Sequence, residues 1–300
     1  MQVLEAAAAG IGNPWPLRRE RAVELADRFP HAAEMLRLYQ ALTVVQEAAY
    51  REARSAPPRL EEIADFAATR VLPSVVDATV SSGPARLRDG VINVFCSPDL
   101  AGLIRRWLQF PSDSQFRSPL GEGQGAGSLT PVETYLARAS ASPVLEARSS
   151  DQEFPLPTGG TQAAGPVIPS HSGSGQSGGI CPQCGGLPQL SYFALSGEAL
   201  VSGPRYLVCA RCSHNWVFSR MTCAACGEHH THRLPIYQEG EYLPHLRADA
   251  CESCHHYLLT IDLRKDTRAV PIVDELAGLP LDLYAQERGM TKITPNLLGN

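Results

Sequence analysis

Four Cys-x-x-Cys pairs between residues 181 and 254 constrain this chain more than any other feature in it. They are Cys181–Cys184, Cys209–Cys212, Cys223–Cys226 and Cys251–Cys254, and they use eight of the nine cysteines. Cys181 to Cys209 and Cys223 to Cys251 each span 28 positions, and the second unit is offset from the first by 42. Two cysteines separated by two residues can bend round one ion. A second such knuckle completes a tetrahedron, with sulfur about 2.3 Å from a zinc ion. Four sulfurs leave no open position, so the layout predicts two closed structural sites rather than a catalytic one. Zinc and a single iron suit the same soft ligands, and the sequence leaves that choice open. A lone Cys-x-x-Cys could be a redox dithiol, but four evenly spaced pairs argue for metal. Disulfides are the other use of so many cysteines, and a reducing cytosol would not keep them.

Equal spacing favours one pairing of the knuckles. The first and second close site one (Cys181, Cys184, Cys209, Cys212), and the third and fourth close site two (Cys223, Cys226, Cys251, Cys254). A cross-brace between the first and third pairs is the rival, but a 42-residue unit that closes its own site can be copied whole. The repeat extends beyond the cysteines. Gly185 aligns with Gly227, each where the chain turns with positive φ. Arg205 aligns with Arg247 and His214 with His256. The later knuckles carry Ser213 and His255 in place of glycine, which leans from a symmetric rubredoxin toward a zinc ribbon. Units this small are expected to draw much of their stability from metal.

His229, His230, His232, His255 and His256 crowd the second unit. With four cysteines already present at each site, they read as loop histidines. His214 and His256 are candidates to donate to a thiolate sulfur. Cys96, following the apolar run Val91-Ile92-Asn93-Val94-Phe95, reads as a small buried hydrophobe. Net charge bears on partners. The chain carries a formal charge of −5, and between Cys181 and Arg264 there are six arginines, no lysine and seven acidic residues. A phosphate-binding face needs several basic groups to displace condensed counterions, so nucleic-acid binding is disfavoured. The two lysines, Lys265 and Lys292, suggest only a bias in usage. No basic, apolar leader and no run of about 18 apolar residues occurs, so neither secretion nor membrane insertion is expected and the cytoplasm is.

The first half reads as helical. From His31 to Arg54, the residues Met35, Leu38, Tyr39, Leu42, Val45 and Ala49 fall on one face. Shorter helices are predicted over Leu17–Phe29, Leu60–Val71 and Leu100–Phe110. Thr130-Pro131-Val132-Glu133 is a capping-box start. The stretch 151–180 is rich in Gly, Ser, Pro and Thr and cannot bury a core. The Gly-rich 121–128 lacks the lysine of a phosphate-binding loop. Helical periodicity resumes over Pro271–Gly289, interrupted at Pro280, and the end ITPNLLGN reads as an extended tail. The expected organisation is therefore multi-domain α+β. A helical bundle over 1–150 and a flexible linker over 151–180 precede two rubredoxin-like or zinc-ribbon units, 181–222 and 223–264, and a helical C-terminal segment with its tail, 265–300.

CPQCGGLP from Cys181, RYLVCARCSHNWVFSRMTCAACG from Arg205 and ADACESCHHYLLTIDLRKD from Ala248 together resemble the FdhE-type formate dehydrogenase accessory proteins. VPIVDELAGLPLDLYAQERG near the end and RRERAVELADRFPHAAEMLRLYQAL near the start are similar to that family's C-terminal and N-terminal regions. The resemblance implies a cytosolic, chaperone-like factor, and the closed four-sulfur sites predict that it has no turnover of its own. Its partner would be the catalytic subunit of respiratory formate dehydrogenase, and its cofactors two metal ions, rubredoxin-type iron or zinc, on the eight paired cysteines. The alternative is a rubredoxin-like redox protein with iron in one or both sites. The sequence leaves a homo-oligomer open. No Ser/His/Asp arrangement, nucleotide loop or open metal position supports an enzyme.

Overall fold

Proline placement and apolar spacing set the helices of the first half. The computed structural model describes residues 13–97, 99–109, 129–149, 179–195 and 203–299. Helix α1, Trp15–Arg28, has Pro16 in its first turn and stops at Phe29, because Pro30 cannot donate the next hydrogen bond. One 3-10 turn, Pro30–Ala32, leads into α2, Ala33–Ser55. Helix α2 serves two cores. Leu38, Leu42 and Ala49 enter a helical core, while Leu36 and Tyr39 join a second one shared with the sheet.

The helix expected over Leu60–Val71 is divided. A 3-10 turn, Leu60–Glu62, leads to α3, Ile63–Phe66, then a π turn, Ala67–Val71, and α4, Leu72–Ser82. Pro73 stands in the first turn of α4 and has no N–H to give, so the wider turn falls just before it. Helix α5, Ala85–Phe95, takes up the apolar run before Cys96. Val91 is the residue of that helix buried in the core, and Cys96 is exposed beyond its end. Cys96 is therefore not a core residue, because the helical period turns most of the run outward. Helix α6, Leu100–Gln109, buries Leu103, Ile104 and Trp107. Helix α7, Pro131–Ser149, starts with the capping box: Glu133 N–H donates to Thr130 Oγ1 at 3.2 Å and Thr130 N–H to Glu133 Oε2 at 2.7 Å. The glycine-rich 121–128 and nearly all of the expected linker, 151–178, lie outside the described residues.

The second half is one sheet rather than two separate modules. Strands β1 (Pro188–Phe193), β2 (Arg205–Cys209) and β3 (Asn215–Phe218) come from the first unit. Strands β4 (Ile236–Tyr237), β5 (Leu246–Ala250) and β6 (His256–Asp262) come from the second. Their order is β3-β2-β1-β6-β5-β4. Within each unit the pairing is antiparallel, but β1 and β6 pair in parallel, from Leu190 opposite Leu259 to Phe193 opposite Asp262. Helices α8, Pro271–Ala277, and α9, Leu279–Glu287, break at Gly278, so Pro280 lies in the first turn of α9. A Cβ on Gly278 would meet Leu259 at 2.8 Å and Leu246 at 3.0 Å, so glycine lets this turn lie on the sheet. A short strand β7, Thr291–Lys292, pairs in parallel with β6, and the tail expected to be extended from Ile293 instead runs on through a bend and a turn.

One apolar core joins the halves. Ala22 and Leu25 of α1 and Leu36 of α2 pack with Leu190, Leu246, Leu259 and Ile261 of the sheet and with Val273 and Leu276 of α8. Each such side chain contributes about 1.5–3 kcal/mol on burial. Charged groups are buried at the same seam. Arg21 of α1 reaches Asp274 of α8 at 2.5 Å and Asp266 at 2.7 Å, and His245 Nε2 lies 2.8 Å from Asp274. Lys292 is buried between Glu275 at 2.9 Å and Asp282 at 3.1 Å, and Tyr257 donates to Asp282 at 2.9 Å. One of the two lysines is thus the centre of a structural charge cluster, where the sequence suggested only a bias in usage. Burial pushes the Glu275 and Asp282 carboxyls above their ordinary range despite that lysine.

Arg21→Leu removes the guanidinium and leaves the Asp274 carboxylate in a buried site. The expected loss is about 3–5 kcal/mol of unfolding free energy in urea. Because the core spans both halves, far-ultraviolet circular dichroism and tryptophan fluorescence should report one coincident transition. Two separated transitions would refute a shared core.

Candidate metal centres

Each knuckle is made by the same backbone turn. In the first, Cys181 N–H donates to the Gly186 carbonyl at 2.8 Å and Gly185 N–H to the Cys181 carbonyl at 2.9 Å. The third repeats it with Cys223, Glu228 and Gly227, the second with Cys209, His214 and Ser213, and the fourth with Cys251, His256 and His255. The residue after the second cysteine is left-handed in all four. Its φ is 70° at Gly185, 54° at Ser213, 79° at Gly227 and 57° at His255. Glycine adopts that region freely, whereas a residue with a Cβ pays about 1–2 kcal/mol. The serine and histidine therefore alter the residue and not the turn. Gly186 has a further reason: a Cβ there would come within 2.9 Å of Cys209 Sγ.

Strand ends carry the knuckles together in the expected combination. The sulfurs of Cys181, Cys184, Cys209 and Cys212 lie within 4.8 Å of one another, as do those of Cys223, Cys226, Cys251 and Cys254. Sγ–Sγ separations are 3.7 Å for Cys181–Cys212, 3.4 Å for Cys184–Cys209, and 3.7 Å for both Cys223–Cys254 and Cys226–Cys251. A disulfide would need about 2.05 Å. A tetrahedron with metal–sulfur bonds of about 2.3 Å has edges of about 3.8 Å. The donor set therefore fits a tetrahedral thiophilic ion in both places. Backbone N–H groups of Arg211 and Ala225 point at Cys209 Sγ and Cys223 Sγ, each at 3.4 Å, and favour the thiolate. Packed this closely, the thiols cannot all ionise alone. Hydrogen bonding with Cys254 holds Cys223 down to about 5, while hydrogen bonding with Cys223 pushes Cys254 far up. Burial pushes Cys226 up to about 11.

The two clusters differ in cover. Cys181, Cys209 and Cys212 are buried with Leu207, Trp216, Leu258 and Ile293. The second knuckle also docks on the helical half. Arg211 caps the end of α6 by donating to the Trp107 carbonyl at 3.2 Å and the Leu108 carbonyl at 3.3 Å, and Ser149 of α7 donates to the Cys212 carbonyl at 2.9 Å. In the second cluster Cys226 is exposed and Cys254 half-buried.

The histidines fall as follows. His229, His230, His232 and His255 are exposed. His256 Nδ1 donates to the Cys254 carbonyl at 2.7 Å, so that nitrogen serves the knuckle backbone and not a sulfur. His214 is buried with its ring stacked against Trp216, and burial lowers its pKa. Sequence reasoning missed Glu228. It accepts from the His229 and His230 N–H groups at 2.9 Å each and from Ser253 Oγ at 2.5 Å, tying the third knuckle to the fourth. Its position, aligned with Gly186 of the other unit, was the available signal.

Residues 180–220 match the family model described as FdhE, central domain, and residues 221–298 that of FdhE, C-terminal domain. A protein FdhE homolog of Aquifex aeolicus is 35% identical over 119 residues, covering 40% of this chain and 41% of that protein. One from Pseudomonas aeruginosa is 35% identical over 122 residues, 40% of this chain and 39% of that one. The match spans about two fifths of the length of these curated relatives. The crystal structure of the FdhE protein from Pseudomonas aeruginosa superposes with a TM-score of 0.62 at 22% identity, covering 95% of this chain and 94% of that one. The fold, helical half included, is shared with it.

Ser213→Gly and His255→Gly should each raise stability by up to about 1 kcal/mol, and Gly185→Ala and Gly227→Ala should lower it comparably. Thermal melting at fixed metal loading reads the change. Loss of stability in both glycine variants would mean that the left-handed turn is not strained at Ser213 and His255.

Proposed function

We propose that this chain is an FdhE-type protein and, as such, a cytoplasmic, chaperone-like accessory factor for respiratory formate dehydrogenase, binding that enzyme's catalytic subunit without turnover of its own. The observation that carries the reading is the match of residues 180–298 to the FdhE central and C-terminal domain models, over the stretch that forms both sulfur clusters. Both clusters are sulfur-only, and a closed tetrahedral site supplies folding energy rather than a position for substrate. No helix among the described residues is long and apolar enough to cross a membrane.

We assign one ion to Cys181, Cys184, Cys209 and Cys212, and one to Cys223, Cys226, Cys251 and Cys254. Iron and zinc fit these ligands equally. When bound, the ion neutralises the crowded thiolates and locks two strand ends together. The chain's own contribution is the four knuckle turns and the backbone N–H groups aimed at sulfur. The segments 181–222 and 223–264 are proposed as the duplicated units.

Metal content gives the first test. Cys181→Ser with Cys184→Ser should remove one equivalent by elemental analysis and leave the other. In the intact protein, a chromogenic chelator should strip the ions in two phases. The exposed site of Cys226 and Cys254 empties first and the site docked on α6 and α7 second. Concerted loss of both ions would refute independent sites.

Partner binding gives the second. The tagged protein should co-purify the catalytic subunit of formate dehydrogenase from formate-respiring cells. Deletion should abolish formate-dependent respiration while other molybdoenzymes stay active. Full formate dehydrogenase activity in a deletion strain with no second copy would overturn the assignment.

A further inference from the structure

The sheet has two chemically distinct ends. Pro188 of β1 pairs with Cys209 of β2 at the sulfur end, and Phe193 pairs with Arg205 five residues along at the other. At that far end Phe193, 3% exposed, is ringed by guanidinium groups. The Cζ of Arg247 lies 4.7 Å from its ring centre, that of Arg220 4.9 Å and that of Arg264 5.0 Å. Arg205 lies beside them, donating to Ser191 Oγ at 3.1 Å, with its Cζ 5.8 Å from the Phe218 ring.

Counter-charge is short. Asp249 is shared by Arg205 at 3.2 Å and Arg247 at 2.8 Å, and Asp262 pairs with Arg264 at 2.6 Å. Arg220 donates to the Gly203 carbonyl, and no carboxylate pairs with it among the described residues. Among the described residues, four guanidiniums face two carboxylates, a local excess of two positive charges in a chain whose net charge is −5. Burial and the neighbouring Arg264 both lower the Arg220 pKa, so an added anion would relieve the site. Arg264 is the most open, with 38% of its side chain exposed.

Beside the cluster runs an open strand edge. Strand β3 ends the sheet, paired with β2 alone among the described residues, and Val217 on it is 51% exposed. Arg220 follows β3 by two positions. Such an edge accepts an extended peptide through main-chain hydrogen bonds. In an extended chain, carboxylates on alternate residues lie about 6.7 Å apart. Each of the three guanidinium carbons is within 5.0 Å of one ring centre, so no two exceed a separation of about 10 Å.

We propose that the arginine cluster of Arg220, Arg247 and Arg264 around Phe193, together with the adjoining β3 edge, is a docking site for an extended acidic segment of a partner polypeptide. It deepens the accessory role proposed above and rests on that reading in taking the occupant to be a polypeptide. Arg247 and Arg264 meet Asp249 and Asp262 through Nε and Nη2, so a partner carboxylate would be met by their Nη1 groups and by Arg220.

Fluorescence anisotropy on the metal-loaded full chain tests this with a blocked, labelled heptapeptide of alternating glutamate and serine at low salt. Binding should weaken about tenfold in an Arg220→Gln, Arg264→Gln double variant and fall with added salt. An Arg70→Gln, Arg86→Gln variant, with the same change in net charge on exposed sites of the helical half, should bind as the unmodified protein does. Equal binding by the two double variants overturns the proposal. Stronger displacement of the peptide by inorganic phosphate, or by a single-stranded oligonucleotide, than by unlabelled peptide also overturns it. Circular dichroism of both variants establishes that they fold. The assay contains no dehydrogenase, so its failure leaves the accessory role standing. That role is decided by the co-purification and deletion above.

Discussion

The parallel pairing of β1 with β6 is the contact on which the rest of the molecule depends. Two hairpin units, each closing its own sulfur cluster, are joined there with Ser191 opposite Thr260, and the two hydroxyls meet at 2.6 Å. A one-residue slip would send every side chain of one unit to the opposite face. The observed register sends Leu190, Leu259 and Ile261 toward the helices and places Ser191, Thr260, Arg205 and Asp249 in one hydrogen-bonded group. It also brings the sulfur clusters to one end of a continuous sheet and the arginines to the other. The polarity of the molecule is thus set by strand register.

Helices α1 and α8 then fasten the first half to that sheet. The apolar contacts are non-directional, but the buried charges are not. Arg21 meets Asp274 and Asp266 in one geometry, and Lys292 meets Glu275 and Asp282 in another. Arg138 of α7 adds a third link, donating to the Pro295 carbonyl at 2.6 Å and to Gln189, which in turn donates to Glu275. Burial lowers Arg138 to about 10, and no carboxylate among the described residues pairs with it directly. Misplaced docking would strand these groups without partners, at several kcal/mol each. They therefore select one arrangement of the halves.

Local signals made much of this legible in the sequence. The pairing of knuckles followed from equal spacing, the start of α7 from Thr130 and Glu133, and the helical stripe of α2 from its period. The sheet connection was not legible, because nothing in β1 or β6 alone states whether its neighbour runs parallel or antiparallel. The same limit hid the cores. Leu36 and Leu38 are two positions apart yet serve different clusters, a division fixed only when the sheet arrives. Cys96 was misread because its apolar run was taken without a period. Lys292 was missed for a related reason: a buried charge becomes visible only when its partners, here Glu275 and Asp282 from another element, are in place.

The two sites share one backbone geometry, and the fold makes them inequivalent. The four knuckles share their turn and their left-handed residue, so each unit closes its sulfurs by the same local geometry. Among the described residues the hydrogen bonds to α6 and α7 come from the first unit, where Arg211 caps a helix and Ser149 holds the Cys212 carbonyl. Position 211 in the first unit is occupied in the second by Ser253, which bonds to Glu228 within its own unit. An ion in the first cluster would therefore be linked to the helical half through two protein contacts, and an ion in the second only through the sheet. Loss of an ion from the first cluster would loosen the seam between the halves, whereas loss from the second would free a hairpin that faces solvent. The duplicated chemistry is the same in both units, and its structural consequences differ because only one of them is covered.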